Sequence, residues 1–447
     1  MEIIKKPNNV INKKLIIDID NSKKYRWMYY IFKYDPKDGY ILLFNTLTTC
    51  LIRLSQEEYD NPDEILMLKE LCFYVPEDYK EFEICEYFFK YYRENEDQFN
   101  IHNSIWSYTI LSTLKCNARC KYCYELGSKV KRVHMNDKTI SNTIKLIVDN
   151  YMNNNQAVSI GFFGGEPFYY QKPYDEIFTK LKQLDIPYKS NFISNGYLLN
   201  EKTVYKLVNL YKCTNGQITI DGTEDNYNKI KNYVYKKDPS PFKTVVKNIK
   251  TLLENHISIS VRINFNYKDY KDQLKVAHQL LDELKDYKNF CIYFHEFFED
   301  YTDEEQLEII EILRELRKQF KDTNFLDCNL KEQMPNMKCM SDSNHSVLIN
   351  ANGDLYKCEH MPKDGIIGNV NKLYDEGIEP DYELNKKFYR KFYRFDECKK
   401  CPLCPQCIIV DYCSYKMNNR CPLLEKFDIE MKLENSIKNL YKKFLES

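Results

Sequence analysis

The sequence predicts an α/β protein whose centre is a parallel sheet wrapped by helices into a partial (β/α)6 barrel. Between residues 105 and 320, six strand-like runs alternate with six amphipathic helical ones. Residues suited to chemistry fall just after those strands or inside them, where a barrel keeps its working groups. The 447-residue chain also has only 12 glycines and 15 prolines and no low-complexity linker. The parts on either side of the barrel region are therefore expected to abut it.

In chain order the strands read SYTILST, AVSIGFF, KSNFIS, GQITI, ISVRINF and NFCIYFHEFF. All are rich in the β-branched and aromatic residues that suit a pleated, buried surface. The helices are expected to begin near Asn136, Tyr174, Asn200, Phe242, Lys268 and Thr302, several of them behind a side chain able to cap the first turn. Cys116, Cys120 and Cys123 follow the first strand, Gly164, Gly165, Glu166 and Pro167 the second, Ser194, Asn195 and Gly196 the third, and Asp221-Gly222 the fourth; Arg262 lies within the fifth.

Residues 1–100 read as a separate small domain, with a hairpin turning near Pro36–Gly39 in MYYIFKYDPKDGYILLFNTLTTCLIRL, then helices. After about residue 325 regular patterns fade and cysteines take over: Cys328, Cys339, Cys358, Cys398, Cys401, Cys404, Cys407, Cys413 and Cys421. Such a segment is expected to fold around metal. The expected divisions are 1–100, 101–325 and 326–447.

With 65 basic and 66 acidic side chains the net charge is -1, which argues against a nucleic-acid partner. The start, MEIIKKPNNVINKK, lacks the apolar core of a signal peptide, and no run of 18 apolar residues occurs, so a soluble cytoplasmic protein without a membrane partner is expected. Seventeen cysteines in that compartment point to metal rather than disulfides.

LKCNARCKYCYELG places three thiols at C-x3-C-x2-C with Tyr122 before the last. A 4Fe-4S cluster takes four thiolates, so three on one loop leave one iron for another ligand. A zinc site using two of these cysteines is the bland alternative, although zinc knuckles pair C-x2-C with a second such pair. The spacing resembles the signature of the radical S-adenosylmethionine (radical SAM) enzymes, and with it a partial (β/α)6 TIM-like barrel. The resemblance implies that S-adenosylmethionine chelates the open iron of the cluster on Cys116, Cys120 and Cys123, and that its one-electron cleavage yields a 5'-deoxyadenosyl radical. It further implies cofactor contacts from Tyr122, Gly164, Gly165, Glu166, Pro167, Ser194, Asn195 and Arg262, with Glu166 facing the methionine amino group and Arg262 its carboxylate. Turn residues and a salt-bridged arginine are the plain alternative for the last three.

Farther on, Cys339-x13-Gly353-x4-Cys358, then Cys398-x2-Cys401-x5-Cys407, Cys413 and Cys421 resemble the SPASM extension, which carries auxiliary clusters. The five residues between Cys407 and Cys413, where the pattern has three, depart from it. The family's ligand order implies one auxiliary cluster on Cys339, Cys358 and Cys413 with Cys328, another on Cys398, Cys401, Cys407 and Cys421, and so three 4Fe-4S clusters in all. Cys404 is left as a bystander or a compensating ligand, and a zinc ribbon is the alternative for the region. Cys50, Cys72, Cys85, Cys213 and Cys291 read as small buried hydrophobes.

The opening LFNTLT (Leu43–Thr48) resembles that of peptide maturases whose N-terminal winged-helix-like domain captures the leader of a precursor peptide as an added strand; a structural cap is the alternative. The layout implies a ribosomal-peptide maturase forming cysteine thioethers, with Glu359 as a catalytic acid–base residue and a reductase or a flavodoxin- or ferredoxin-type protein as electron donor. Formylglycine-forming sulfatase maturation is the runner-up, since DGTEDNYNKIKNY offers Asn226 and Lys229 where that branch has a His-Asp and Arg pattern. Epimerisation and carbon–carbon crosslinking fit the same layout. A zinc-binding regulatory protein is the reading from another class.

Overall fold

The structure is a computed structural model describing residues 1–8, 19–20, 22–94, 105–123, 132–297, 301–320, 340, 343, 345–361, 365–381, 396–407, 421 and 423–447. The chain divides into two compact units. One comprises Met1–His102, Asp327–Ser343 and Lys387–Ser447, the other Asn103–Leu326 and Asn344–Lys386.

In the first unit, β1 (Glu2–Lys5), β2 (Tyr25–Trp27), β3 (Ile31–Tyr34), β4 (Tyr40–Asn45), β5 (Leu51–Ser55) and β6 (Tyr74–Pro76) make two antiparallel sheets, one ordered β1-β5-β4-β3 and one pairing β2 with β6. Helices α1 (Gln56–Asp60), α2 (Leu66–Glu70) and α3 (Glu81–Glu94) accompany them. Ser55 and Glu58 close a capping box on α1. β4 is apolar on both faces because both are covered. Ile41 and Leu43 join Leu54, Leu68 and Phe73, while Leu42 and Phe44 meet Ile429, Leu433 and Ile437 of the C-terminal helix Leu423–Leu445. This strand order does not by itself make a winged helix, which remains an expectation.

The second unit holds all six expected strands, β7 (Ile105–Leu111), β8 (Ala157–Phe163), β9 (Tyr188–Ser194), β10 (Cys213–Thr219), β11 (Ser258–Phe265) and β12 (Phe290–Glu296), paired in parallel. Between and after them run α4 (Asp137–Asn154), α5 (Lys172–Gln183), α6 (Glu201–Asn209), α7 (Glu224–Lys231), α8 (Pro241–Glu254), α9 (Lys271–Leu284) and α10 (Asp303–Gln319). Asn136, Asn200 and Thr302 cap α4, α6 and α10 by accepting N–H bonds three residues on.

The sheet does not close into a barrel. Its order is β12-β11-β10-β9-β8-β7-β13-β14-β15, the last three being β13 (Ser346–Ile349), β14 (Asp354–Tyr356) and β15 (Ile366–Asn369), followed by α11 (Val370–Glu376). Residues past 325 thus contain regular strands where the sequence pattern had faded, and β13 pairs in parallel with β7. Ile218, Val261, Ile263 and Ile292 are buried. Thr219, Arg262 and Tyr293 alternate with them in one register row on the opposite face. No helix among the described residues is long and apolar enough to cross a membrane.

Candidate functional site at the strand ends

The cysteine loop leaves the end of β7 and is held from three sides. Beneath it runs the diglycine that follows β8. A Cβ on Gly164, whose φ is +111°, would lie 2.6 Å from the Thr113 carbonyl, and one on Gly165 would lie 2.5 Å from that of Lys115. Only glycine lets these backbones meet, and Gly165 and Glu166 then donate N–H bonds to those carbonyls at 3.2 and 3.0 Å.

Glu166 links the second and third strand ends. Its side chain, 1% exposed, accepts from Ser194 Oγ at 2.9 Å, the Asn195 amide at 3.0 Å and the Phe168 amide at 3.2 Å. Burial pushes its carboxyl up to about 7 against the pull of those bonds. Asn195 Nδ2 donates to Asn117 Oδ1 at 2.7 Å, and Asn195 Oδ1 accepts from the Tyr197 amide, which fixes the direction of both amides. Asn117 Nδ2 is consequently a buried donor with no partner, inside the loop and next to Cys116.

The third support was not read from the sequence. Helix α7 ends at Lys231, whose carbonyl accepts the Arg119 amide at 2.8 Å, and Val234 donates to the Asn117 carbonyl at 2.9 Å. The Lys231 ammonium, 2% exposed, donates to Tyr122 Oη at 2.9 Å and Thr219 Oγ1 at 2.8 Å and pairs with Asp221 at 2.8 Å. Tyr122 Oη donates to the same Asp221 carboxylate at 2.8 Å, and Asn264 Nδ2 to its other oxygen at 2.8 Å. Arg262 Nε reaches Asn264 Oδ1 at 2.8 Å. Burial disfavours the Lys231 charge, but the surrounding groups, Asp221 foremost, together outweigh it and hold the ammonium protonated. The available signal was Tyr227 and Lys231 at i and i+4, one face of a helix; Asn226 and Lys229 were the residues singled out instead.

Cys116, Cys120 and Cys123 are half-buried and in no disulfide. Burial pushes the Cys116 thiol up to about 12, with Glu166 adding to it, and raises that of Cys120 against the opposing charge of Lys231. Three thiols on one loop, with the unpartnered Asn117 donor beside them, fit an iron–sulfur cluster ligated at three irons. Among the described residues no three His, Cys, Asp or Glu side chains are gathered to hold a single metal ion; a cubane spreads its thiolates over different irons and needs no such convergence.

On the sheet face that carries Arg262, Tyr293 Oη donates to Gln217 at 2.6 Å, and Cys291 lies 3.3 Å from Ser260 Oγ. Cys291 is therefore half-buried against a polar neighbour, not an apolar filler as its sequence context suggested. Glu359 follows half-buried Cys358 and is itself exposed. Partial desolvation by the protein around it raises its pKa and the charge of Arg262 opposes the rise. Cys328, Cys339 and Cys413 lie outside the described residues.

In the first unit Cys398, Cys401, Cys404 and Cys407 recur every third residue, each later amide donating to the preceding cysteine carbonyl. Cys398, Cys401, Cys407 and Cys421 are half-buried, and Cys407, Cys401 and Cys398 add to the burial that pushes the Cys421 thiol up to about 12. Cys404 is buried instead among Met28, Leu47 and Val75. The turn of LFNTLT clamps this loop: Thr46 Oγ1 donates to the Pro402 carbonyl at 2.6 Å, and Gln406 Nε2 to the Thr46 carbonyl at 2.7 Å. Asn45 shapes that turn by accepting from the Leu47 and Thr48 amides at 3.0 Å each.

Residues 110–281 match the model of the radical SAM superfamily. No curated protein sequence matches the chain. Among solved structures, tagged anSMEcpe with bound AdoMet is similar at 15% identity and TM-score 0.55, over 76% of this chain and 96% of that one. Native anSMEcpe with bound AdoMet and the Cp18Cys peptide is similar at 16% identity and TM-score 0.55, over 76% and 99%. Streptococcus suis SuiB bound to precursor peptide SuiA reaches 17% identity over 86% and 94% of the two chains, but its TM-score of 0.46 is too low to carry an argument. The likeness to anSMEcpe is one of fold, and it agrees with the match over the strands that carry the cysteine loop: residues 110–281 are a radical SAM domain.

Proposed function

We propose that this protein is a radical SAM peptide maturase that forms cysteine thioether crosslinks in a ribosomally made precursor peptide. The observation that carries the reading is the loop of Cys116, Cys120 and Cys123: three half-exposed thiols at the rim of a parallel sheet, fixed by backbone bonds to the neighbouring strand ends. The peptide bound to anSMEcpe supports the choice of substrate class.

When bound at Cys116, Cys120 and Cys123, a cluster with S-adenosylmethionine would supply radical chemistry capable of taking a hydrogen atom from a substrate carbon. The chain's own residues hold the geometry for this. Lys231 and Asp221 fix Tyr122 and so orient the segment between Cys120 and Cys123, while Gly164, Gly165, Glu166, Pro167, Ser194 and Asn195 form the adjoining wall for the cofactor. Arg262 offers a guanidinium to a carboxylate, and Glu359, whose carboxyl feels the charge of Arg262, is assigned to exchange a proton with the substrate. Cys358 with Cys328, Cys339 and Cys413, and Cys398, Cys401, Cys407 and Cys421, are assigned as the ligands of two auxiliary 4Fe-4S clusters. Residues 1–100 are assigned to leader recognition, a reductase or a flavodoxin- or ferredoxin-type protein to electron supply, and the cytoplasm to the protein's location.

The test is to coexpress the protein with a short cysteine-containing peptide encoded beside it and weigh the product. A thioether removes a hydrogen atom from carbon, which 5'-deoxyadenosine would carry away, and a proton and an electron from the thiol side, which Glu359 and an auxiliary cluster would accept, so each link should lower the mass by two hydrogens and leave its cysteine resistant to alkylation. Unchanged mass with alkylatable cysteines would overturn thioether formation and favour epimerisation or a protein substrate.

A further inference from the structure

The cysteine-rich loop of the first unit packs against a hydroxyl that satisfies nothing. Tyr30, just before β3, is 0% exposed, and its Oη has no hydrogen-bond partner. A phenol stripped of water and left unpaired is less stable than a phenylalanine of the same shape, so the group implies a partner that only the loaded protein contains.

Its surroundings say which partner. The ring lies in one cluster with Cys72, Cys85 and Cys404, and Cys398 and Cys401 pack against that cluster. The ionisable groups facing its hydroxyl are Cys85, Cys404, Glu81 and Cys401. Glu81 is already taken, its carboxylate accepting from Arg26 at 2.8 and 2.9 Å and from the Tyr29 amide at 3.1 Å. The remaining ionisable groups near the hydroxyl are thiols. A phenol keeps its proton at neutral pH, so the hydroxyl acts as a donor rather than as a phenolate ligand.

We propose that Tyr30 donates its hydrogen bond to a sulfur of the iron–sulfur cluster held by Cys398, Cys401, Cys407 and Cys421, and so raises the reduction potential of that cluster. Tyr30 is a positioning residue, and its assignment rests on the auxiliary-cluster reading above. A hydrogen bond to a cluster sulfur favours the reduced, more negative state, one of the means by which proteins tune such centres.

The experiment uses the full-length protein with Cys116→Ala, Cys120→Ala and Cys123→Ala, so that only auxiliary iron remains, with and without Tyr30→Phe. Anaerobic redox titration followed by electron paramagnetic resonance should show one auxiliary signal harder to reduce in Tyr30→Phe by about tenfold in its equilibrium, or about 59 mV for a one-electron couple. An equal potential at equal iron content would overturn the assignment. If Tyr30→Phe fails to hold iron, resonance Raman spectra of the triple variant in H2O and D2O decide: iron–sulfur stretches that shift on exchange support the hydrogen bond, and invariant ones refute it. A triple variant without iron would show that the auxiliary-cluster reading itself is wrong, an outcome distinct from an unchanged potential.

Discussion

Two cysteine loops of similar spacing are supported in opposite ways. The loop of residues 116–123 is held by charge and polar bonds: Lys231, Asp221, Tyr122, Thr219 and Asn264 form a network in which Lys231 and Asp221 are almost wholly buried. The loop of residues 398–407 rests on apolar side chains and is fastened by the turn at Thr46. A loop with three thiols must stay open to a fourth ligand, so its rigidity has to come from behind, through bonds that leave the thiols uncovered. The second loop has another protein thiol, Cys421, beside Cys398, Cys401 and Cys407 to complete the proposed cluster, so it can be packed over.

Removing the thiols of the open loop is the most severe way to break this contrast. The Cys116→Ala, Cys120→Ala, Cys123→Ala protein should keep auxiliary iron yet make no 5'-deoxyadenosine from S-adenosylmethionine and reductant, as measured by iron content and chromatography. Full activity would sink the radical SAM reading of the loop.

Next in size is Lys231→Met, which leaves the Asp221 carboxylate buried without its counter-charge and should cost about 3–5 kcal/mol. Adding Asp221→Asn should recover part of that loss. Unfolding midpoints and hydrogen exchange at the Arg119 amide, which donates to the Lys231 carbonyl, report the two effects, and a single variant as stable as the parent would show that the charge network does not brace the loop.

Glu166 sharpens the contrast through pH. Its folded carboxyl lies at about 7 against a usual 4.5. The folded state thus keeps the proton longer than the unfolded chain, and the associated stability is present below about 4.5 and lost as pH rises to about 7. Glu166→Gln, which cannot ionise, should lack that part of the decline in stability measured by denaturant across the same range.

The smallest effect belongs to the closed loop. Thr46→Val removes the donor to the Pro402 carbonyl and should cost about 1 kcal/mol, with faster amide exchange at Cys401 and Cys404 and none of the change at Arg119. Equal loosening of both loops would contradict independent support.

Much of the second unit was legible because its signals are local. The strand runs, the caps at Asn136, Asn200 and Thr302 and the cysteine spacings need only neighbours in sequence to be read. The hairpin SVLI-NANG-DLY was also readable, its Asn-Gly turn joining two apolar runs, but the cysteines around it drew attention to metal instead. Lys231 was missed because a lysine in a polar helix ordinarily marks solvent. Its burial depends on Asp221 and Tyr122 arriving from other segments.

By itself, then, the sequence determined the alternation of strands and helices and the presence of three thiols on one loop, since periodicity and spacing act over a few residues. Tertiary structure alone decided that the loop's brace is a buried lysine, that Cys291 meets a polar neighbour, that β13 extends the parallel sheet, and that the turn after β4 fastens a cysteine loop more than 350 residues away. Such pairings depend on which surfaces the chain can bury together, and that is a property of the whole packed sheet rather than of any window along the chain.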